Sequence, residues 1–110
     1  MANIGSKVNI ANGTTDSSAA ELYGARITGV IMPAQWTAGN ITILAAIPGD
    51  STYRPVRKSD GNLLQITNPQ ANDIVLFNPS EILALPLLGS IKFKSSVAQG
   101  GSRDLIPILG

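Results

Sequence analysis

The chain has 110 residues, and its eight basic and seven acidic side chains nearly cancel to a formal charge of +1. It contains no cysteine and no histidine, which excludes disulfides, thiol and imidazole catalysis and the usual zinc sites. The charged residues are scattered along the chain, so the electrostatic footprint of a nucleic-acid-binding protein is missing.

The surface of this protein must be weakly charged. Only 14% of the residues are charged and 44% are hydrophobic, against an ordinary charged fraction of about 25%. Solvent-facing positions are therefore covered mainly by Ser, Thr, Asn, Gln and Gly. Such a surface suits a protein packed against others, and it equally suits an ordinary soluble β domain, so composition alone leaves both open.

The sequence gives no sign of a membrane segment or a secretion signal. No run of about 18 apolar residues is present, and the opening MANIGSKVNIANG lacks the basic-then-apolar order of a signal peptide. We therefore expect no association with a membrane and synthesis in a cytoplasm.

Short stretches rich in Ile, Val, Thr, Phe and Tyr recur between clusters of Gly, Pro, Asn and Asp. This pattern predicts an all-β antiparallel sandwich of about eight strands, forming one domain over residues 1–110. Residues 1–5 are too polar and too short to fold alone and are predicted to be a flexible arm. In chain order, the predicted strands are residues 7–11, 21–23, 25–32, 41–47, 53–57, 63–67, 73–77, 91–94 and 103–109.

Loops and turns separate these strands. Residues 14–18 form a predicted polar loop, and residues 59–62, with the sequence SDGN, predict a hairpin turn. Residues 78–81 are typical of a capped single helical turn, and residues 99–102 are predicted to be a mobile loop. Pro107 predicts that the last strand lies at a sheet edge or carries a bulge.

The strand over residues 41–47 carries the strongest signal. One predicted face holds Ile41, Ile43, Ala45 and Ile47, and the other holds Thr42, Leu44 and Ala46. Because both faces are largely apolar, the strand is predicted to be central in its sheet and covered on both sides. Another subunit is one candidate for the second cover.

The positions of three aspartates predict hydrogen bonding within turns and not a catalytic role. Asp16, Asp50 and Asp60 lie in predicted loops, where aspartate bonds to its own backbone. No Ser-x-x-Lys motif is present, and without histidine a serine nucleophile would need a lysine base. The segment from Asp60 to Asn62 is only a fragment of a calcium loop. We expect no catalytic site, cofactor or metal.

Two aromatic residues are candidates for stacking on a sugar. Trp36 and Tyr53 are the plausible pair among the five aromatics, which also include Tyr23, Phe77 and Phe93. The alternative is that Trp36 closes one end of the sandwich core, and this is the interpretation we favour.

The basic residues form two candidate interface groups. Arg54, Arg57 and Lys58 are neighbours in sequence, and Lys92 and Lys94 share one face of the strand over residues 91–94, whose Ile91 and Phe93 are predicted to lie in the core. These cations predict either a solvated edge that discourages aggregation or a docking patch for an acidic neighbour. The sequence leaves both open.

Several of these segments together carry a family resemblance. Residues 31–46, IMPAQWTAGNITILAA, combine a strand ending in Met32-Pro33-Ala34 with Trp36-Thr37 and a Thr-Ile-type strand. Next come an aromatic-plus-Arg strand at Tyr53 and Arg54 and an Asp-Gly hairpin at Asp60 and Gly61. An Asn-Pro turn at Asn78 and Pro79, a basic strand at Lys92 and a terminal Arg-aliphatic strand over residues 103–109 follow. In this order the chain resembles small bacteriophage virion proteins of similar length.

The resemblance implies a jelly-roll sandwich that decorates or cements the capsid exterior. Its implied partners are the major capsid protein and further copies of itself, with a trimer favoured, and it implies synthesis in the host cytoplasm. The chain departs from the pattern at residues 49–51 and over the apolar residues 84–89. A tail or fibre component that attaches to a host carbohydrate through Trp36 and Tyr53 is the alternative.

Overall fold

The computed structural model describes residues 3–78 and 89–110, which form ten strands and no helix. All strand pairings between these strands are antiparallel. The strands are β1 (Asn3–Ile4), β2 (Val8–Ile10), β3 (Ala20–Glu21), β4 (Ile27–Ile31), β5 (Ile41–Ala46), β6 (Arg54–Pro55), β7 (Gln65–Ile66), β8 (Ile74–Leu76), β9 (Ser90–Ser95) and β10 (Arg103–Leu109).

The strands form two five-stranded sheets. In the first sheet β10 pairs with β1 and β2 on one side and with β4 on the other, and β4 pairs with β8. In the second sheet β9 lies between β3 and β5, and both β6 and β7 pair with β5. From β2 onward the chain alternates between the sheets except where β6 and β7 stay beside β5. This is the strand order of a jelly roll, which confirms the predicted fold class.

The core lies between the two sheets. Its fully buried side chains include Ile10, Ile27, Leu105 and, from the second sheet, Ile43 and Phe93. Each such side chain contributes about 1.5–3 kcal/mol through removal from water. The alternation predicted for residues 91–94 is confirmed, since Ile91 and Phe93 are buried while Lys92 is half-buried and Lys94 is exposed.

The segment predicted to be a flexible arm is partly paired in the structure. Asn3 and Ile4 pair with Leu109 and Ile108 of β10, and the backbone N–H of Gly5 donates to the carbonyl of Pro107 at 2.7 Å. Residues 3–5 therefore extend the first sheet instead of projecting from it. Their partners are a hundred residues away along the chain, so no local pattern indicated this pairing.

Pro107 predicted an edge or a bulge, and the structure bears out the second alternative, because the last strand is interior but carries a register shift. β10 lies between β4 on one side and β1 with β2 on the other, and its register shifts between Ile108 and Leu109. The gap between β1 and β2 lies opposite Ile106 and Pro107. Because proline has no N–H to donate, that gap accommodates it within the sheet.

The predicted hairpin over residues 53–67 has a different form. β6 and β7 do not pair with each other but lie end to end along the same side of β5. Between them the chain leaves the sheet and turns back at residues 59–62, and an antiparallel β-bridge between Arg57 and Leu63 joins the two arms of this excursion. The Ile43 backbone holds both ends of this excursion, because its carbonyl accepts from Val56 and its N–H donates to Leu64.

Gln99 belongs to a buried polar network, so the predicted mobility of residues 99–102 is wrong at this residue. Its side chain is 1% exposed. The amide accepts the Thr37 N–H at 2.9 Å and donates to the Thr37 carbonyl at 3.1 Å and to Ser95 Oγ at 2.9 Å. Arg103 Nε also donates to it. Gln99 thus ties the loop before β5 to the connection between β9 and β10.

Two sequence interpretations fall outside the described residues. The helical turn predicted over residues 78–81 lies there except for Asn78, and the apolar departure at residues 84–89 lies there except for Gly89.

Candidate docking surface

The outer surface of the second sheet, which we call the basic face, gathers residues from four strands. Because side chains alternate along a strand, Thr42 and Leu44 of β5 point away from the core that Ile41 and Ile43 enter. The register places Lys92 and Pro55 on either side of Leu44, and Lys94 and Gln65 on either side of Thr42.

A depression of about 600 Å³ occupies this face. Its floor is apolar and polar in alternation, and cations stand at its margin. The lining residues are Asp16, Asn40, Thr42, Leu44, Tyr53, Pro55, Arg57, Leu63, Gln65, Lys94, Ser95 and Ser96. Thr42 and Leu44 are half-buried beneath it. The second cover predicted for β5 is therefore an open depression in the isolated chain.

The strand over residues 41–47 is central, as predicted, because β5 has partners on both sides. The prediction is wrong for Ile47, which was expected to share a covered face with Ile41 and Ile43 and is 54% exposed. β5 ends at Ala46, and Pro48 and Gly49 turn the chain directly afterwards. The alternation of the strand therefore stops one residue too early to bury Ile47.

Tyr53 is held firmly at one end of the depression. Its hydroxyl lies 2.6 Å from Ser90 Oγ, and Lys92 Nζ lies 4.5 Å from the centroid of its ring. An ammonium over a ring face is attracted by the ring quadrupole, and the interaction contributes about 0.5–1 kcal/mol of stabilisation at an exposed site. The contact keeps a cation and an aromatic ring together at the surface.

The five basic residues of the two predicted groups occupy different positions. Arg57 and Lys94 line the depression, and Lys92 stands beside it on Tyr53. Lys58 lines a neighbouring depression of about 570 Å³ together with Arg57. Arg54 instead lies 3.7 Å from Asp50 in an exposed ion pair. The fold thus brings Arg57 and Lys94 together from segments that are far apart in sequence.

Trp36 does not share this surface. It is half-buried and packs against the core, and its indole Nε1 donates to the Gly39 carbonyl at 3.3 Å. Trp36 is not among the residues that line the depression containing Tyr53. The two candidate stacking residues therefore do not form one sugar platform in this structure.

The turn carboxylates bond to their own backbone, as predicted for Asp50 and Asp60. The Thr52 N–H donates to Asp50, which lowers the pKa of that carboxyl, and nearby Arg54 lowers it further. In the same way, the Asn62 N–H lowers the pKa of Asp60. Asp16 differs from both. Its backbone forms an isolated antiparallel β-bridge with Lys94 of β9, and the residue lines the depression.

A second surface, which the sequence interpretation missed, covers the outside of the first sheet. We call it the aliphatic face. One cross-strand row runs through Ile4, Ile108, Gly29 and Leu76, and a second runs through Ile106, Ile31 and Ile74. The available signal was alternation, since residues 74 and 76 and residues 106 and 108 are aliphatic at period two.

The described residues contain neither a candidate metal cluster nor an unsatisfied buried polar side chain. Within residues 3–78 and 89–110 there is no group of three or more acidic side chains that would hold a metal ion, and every buried polar side-chain atom has a hydrogen-bond partner. In the same residues no helix is long and apolar enough to cross a bilayer. What the basic face offers is apolar contact, hydrogen bonding and positive charge.

Comparison with known proteins adds no relative: no family model and no curated protein matches the sequence, and no solved structure matches the fold.

Proposed function

We propose that this chain is a bacteriophage virion protein that decorates the capsid exterior and stabilises the head by binding the major capsid protein. The observation that carries the proposal is the basic face, where Arg57 and Lys94 line one depression together with the apolar side chains of Leu44, Pro55 and Leu63. The jelly-roll fold and the likeness of residues 31–46 to small virion proteins support it.

The basic face fits a protein segment that carries both aliphatic and acidic side chains. Leu44, Pro55 and Leu63 supply the apolar contact, worth about 25 cal/mol for each Å² removed from water before association costs. The cations at the margin steer an acidic segment into place and set its register more than they add affinity. Asp16 is the one carboxylate among the lining residues, and it disfavours a purely anionic ligand.

A decoration protein stabilises a shell through differential binding. If it binds assembled capsomers and not dissociated ones, its binding free energy is added to the stability of the assembled state. Because copies act side by side on one particle, modest single contacts sum to a large effect. No chemistry on the capsid is required.

Binding to purified heads tests the proposal. Heads that lack this protein are mixed with the full chain, and co-sedimentation measures the bound fraction. The double variant Arg57→Glu with Lys94→Glu should weaken binding by about tenfold or more, since it places carboxylates where an acidic partner docks. Arg26→Glu is the matched control, because Arg26 is exposed and lies outside the depression.

The wild-type chain must bind the heads and raise the temperature at which they open. Absence of binding to both empty and full heads would contradict the proposal. Equal binding by the double variant and the wild type would remove the basic face from it.

The alternative, a tail or fibre component that binds a host carbohydrate, has less support from the geometry. Lys92 already stands over the Tyr53 ring, and Trp36 is outside the depression. Tyr53→Ala separates the two functions: a loss of adsorption with intact, stable particles would favour the carbohydrate interpretation, whereas fragile particles favour decoration.

A further inference from the structure

We propose that the aliphatic face is a self-association surface, on which a second copy of this chain packs sheet against sheet about a two-fold axis. The proposal does not depend on capsid binding. Three large aliphatic residues of this face are exposed to solvent, since Ile4 is 67%, Ile74 65% and Leu76 70% exposed. Ile31, Ile106 and Ile108 lie half-buried between them. These six side chains are contiguous through the registers of β1, β10, β4 and β8.

Gly29 leaves the centre of the face without a side chain of its own. A Cβ at this position would collide with the Val75 carbonyl oxygen and would lie 3.0 Å from Leu76 Cδ2 and 3.4 Å from Ile108 Cδ1. Without that atom, the Leu76 and Ile108 side chains lie over the backbone of β4. They form an aliphatic layer of the kind that packs against another sheet at a separation of about 10 Å.

The charge distribution favours a second copy as the occupant. A two-fold interface sets the same surface against itself, so it must be compatible with its own chemistry. Both aliphatic rows lack charged residues and meet this condition. The basic face does not, because self-packing would oppose Arg57, Lys92 and Lys94 to one another. Of the two outer surfaces, only the aliphatic face can therefore pack against a copy of itself without opposing like charges.

The size of the face is compatible with a reversible dimer. Four neighbouring strands at about 4.8 Å, and the three residue positions that the two rows span at about 3.4 Å, give a footprint of about 200 Å² before side-chain relief is counted. A standard interface takes about 800 Å² from each partner. The aliphatic face is smaller than this, so we expect a weak dimer that dissociates on dilution.

The mass of the purified full chain, followed by sedimentation over about a hundredfold range of concentration, tests this directly. We expect a rise from 11.4 kDa toward twice that mass. Leu76→Lys should move the midpoint to at least about tenfold higher concentration, since each dimer would bury unpaired ammonium groups. Ile47→Lys is the matched control, because Ile47 is also exposed but lies in neither row.

A single introduced cysteine provides an independent readout, because the natural chain has none. Leu76→Cys should react with a maleimide at low protein concentration and be protected at high concentration. Ile47→Cys should react equally at both. If Leu76→Lys fails to fold, Ile4→Lys tests the opposite end of the same row.

Three outcomes would overturn the proposal. One is a wild-type chain that stays monomeric throughout, and another is a trimer whose mass Leu76→Lys leaves unchanged. The third is a Leu76→Lys variant that is less stable than the wild type at high dilution, where both are monomers. Such a loss would show that Leu76 is covered by its own chain and not by a second copy. None of them concerns heads, so failure here is distinct from failure to bind a capsid.

Discussion

The two outer faces share one architecture and differ in charge. On the second sheet the outward residues of β9 include Lys92 and Lys94, whereas on the first sheet β10 turns Asp104 outward near its start and then Ile106 and Ile108. A sandwich needs only one apolar face per sheet, turned inward. The lysines satisfy that minimum, and the isoleucines exceed it. The excess is what points to a partner on the first sheet.

The difference also predicts two kinds of interaction. Contacts made by exposed cations weaken as salt is added, because charges more than about 10 Å apart are screened at 0.1 M. Burial of aliphatic surface is insensitive to moderate salt and lowers the heat capacity. Added salt should therefore weaken docking at the basic face and leave self-association through the aliphatic face unchanged.

The largest expected effect comes from a change in the core between the two sheets. Phe93→Ala should lower the free energy of unfolding by about 3–5 kcal/mol, because it leaves a cavity in the centre of the core. Urea denaturation measures the loss. Lys92→Ala, one residue away on the outer side of β9, should cost less than about 1 kcal/mol. Similar losses in both variants would contradict the assignment of inner and outer faces.

The next effect concerns the network that joins the loops of the two sheets. Gln99→Leu should lower the free energy of unfolding by about 2–3 kcal/mol, since it leaves the part-buried backbone groups of Thr37 without these partners. Thermal unfolding provides the measurement. Gln70→Leu is the control at an exposed amide and should fall within about 0.5 kcal/mol of the wild type. A neutral Gln99→Leu would mean that the loop is mobile after all.

A smaller effect tests the close packing at the centre of the aliphatic face. Gly29→Ala should cost about 1–3 kcal/mol, because the new methyl group meets the Val75 carbonyl and forces β4 and β8 apart. The same variant should weaken self-association by disturbing Leu76. Gly100→Ala is the control, since its methyl group would come no closer than 3.4 Å to Thr37 Oγ1. Unchanged stability of Gly29→Ala would show that the strands tolerate the separation.

The corresponding test on the basic face is milder. Lys92→Met removes the ammonium over Tyr53 but keeps the length of the side chain, and we expect a loss of about 0.5–1 kcal/mol. Chemical denaturation of Lys92→Met, Tyr53→Leu and the double variant gives the coupling between the two residues. Strictly additive losses would show that the contact contributes nothing.

The smallest effect is in the pH dependence. The pKa values of Asp50 and Asp60 are lowered from 3.8 in the folded chain, so their turn bonds stabilise the fold above that pH. This stabilisation is lost as the pH falls through the folded pKa values. Unfolding of the wild type followed below about pH 5 should therefore show a steeper decline than the variant Asp50→Asn with Asp60→Asn. Equal declines would remove these carboxylates from the acid response.

Local alternation explains which predictions were confirmed. Residues 91–94 were correctly divided into core and surface, and the aspartates of the two turns were correctly assigned to backbone bonding, because both patterns depend on neighbours in the sequence. The basic depression was not predicted as one site. Arg57 and Lys94 meet there only because β5 pairs with β9 on one side and with β6 and β7 on the other.

The sequence by itself determined an all-β sandwich with a weakly charged surface, the approximate strands and the turn residues, since these follow from period-two patterning and turn chemistry. Only the tertiary structure decided which residues share a row, where Pro107 lies and that Gln99 is buried. Alternation tells whether a side chain points in or out, but a row across a sheet depends on the register between distant strands. Ile4, Ile108 and Leu76 form one surface for that reason.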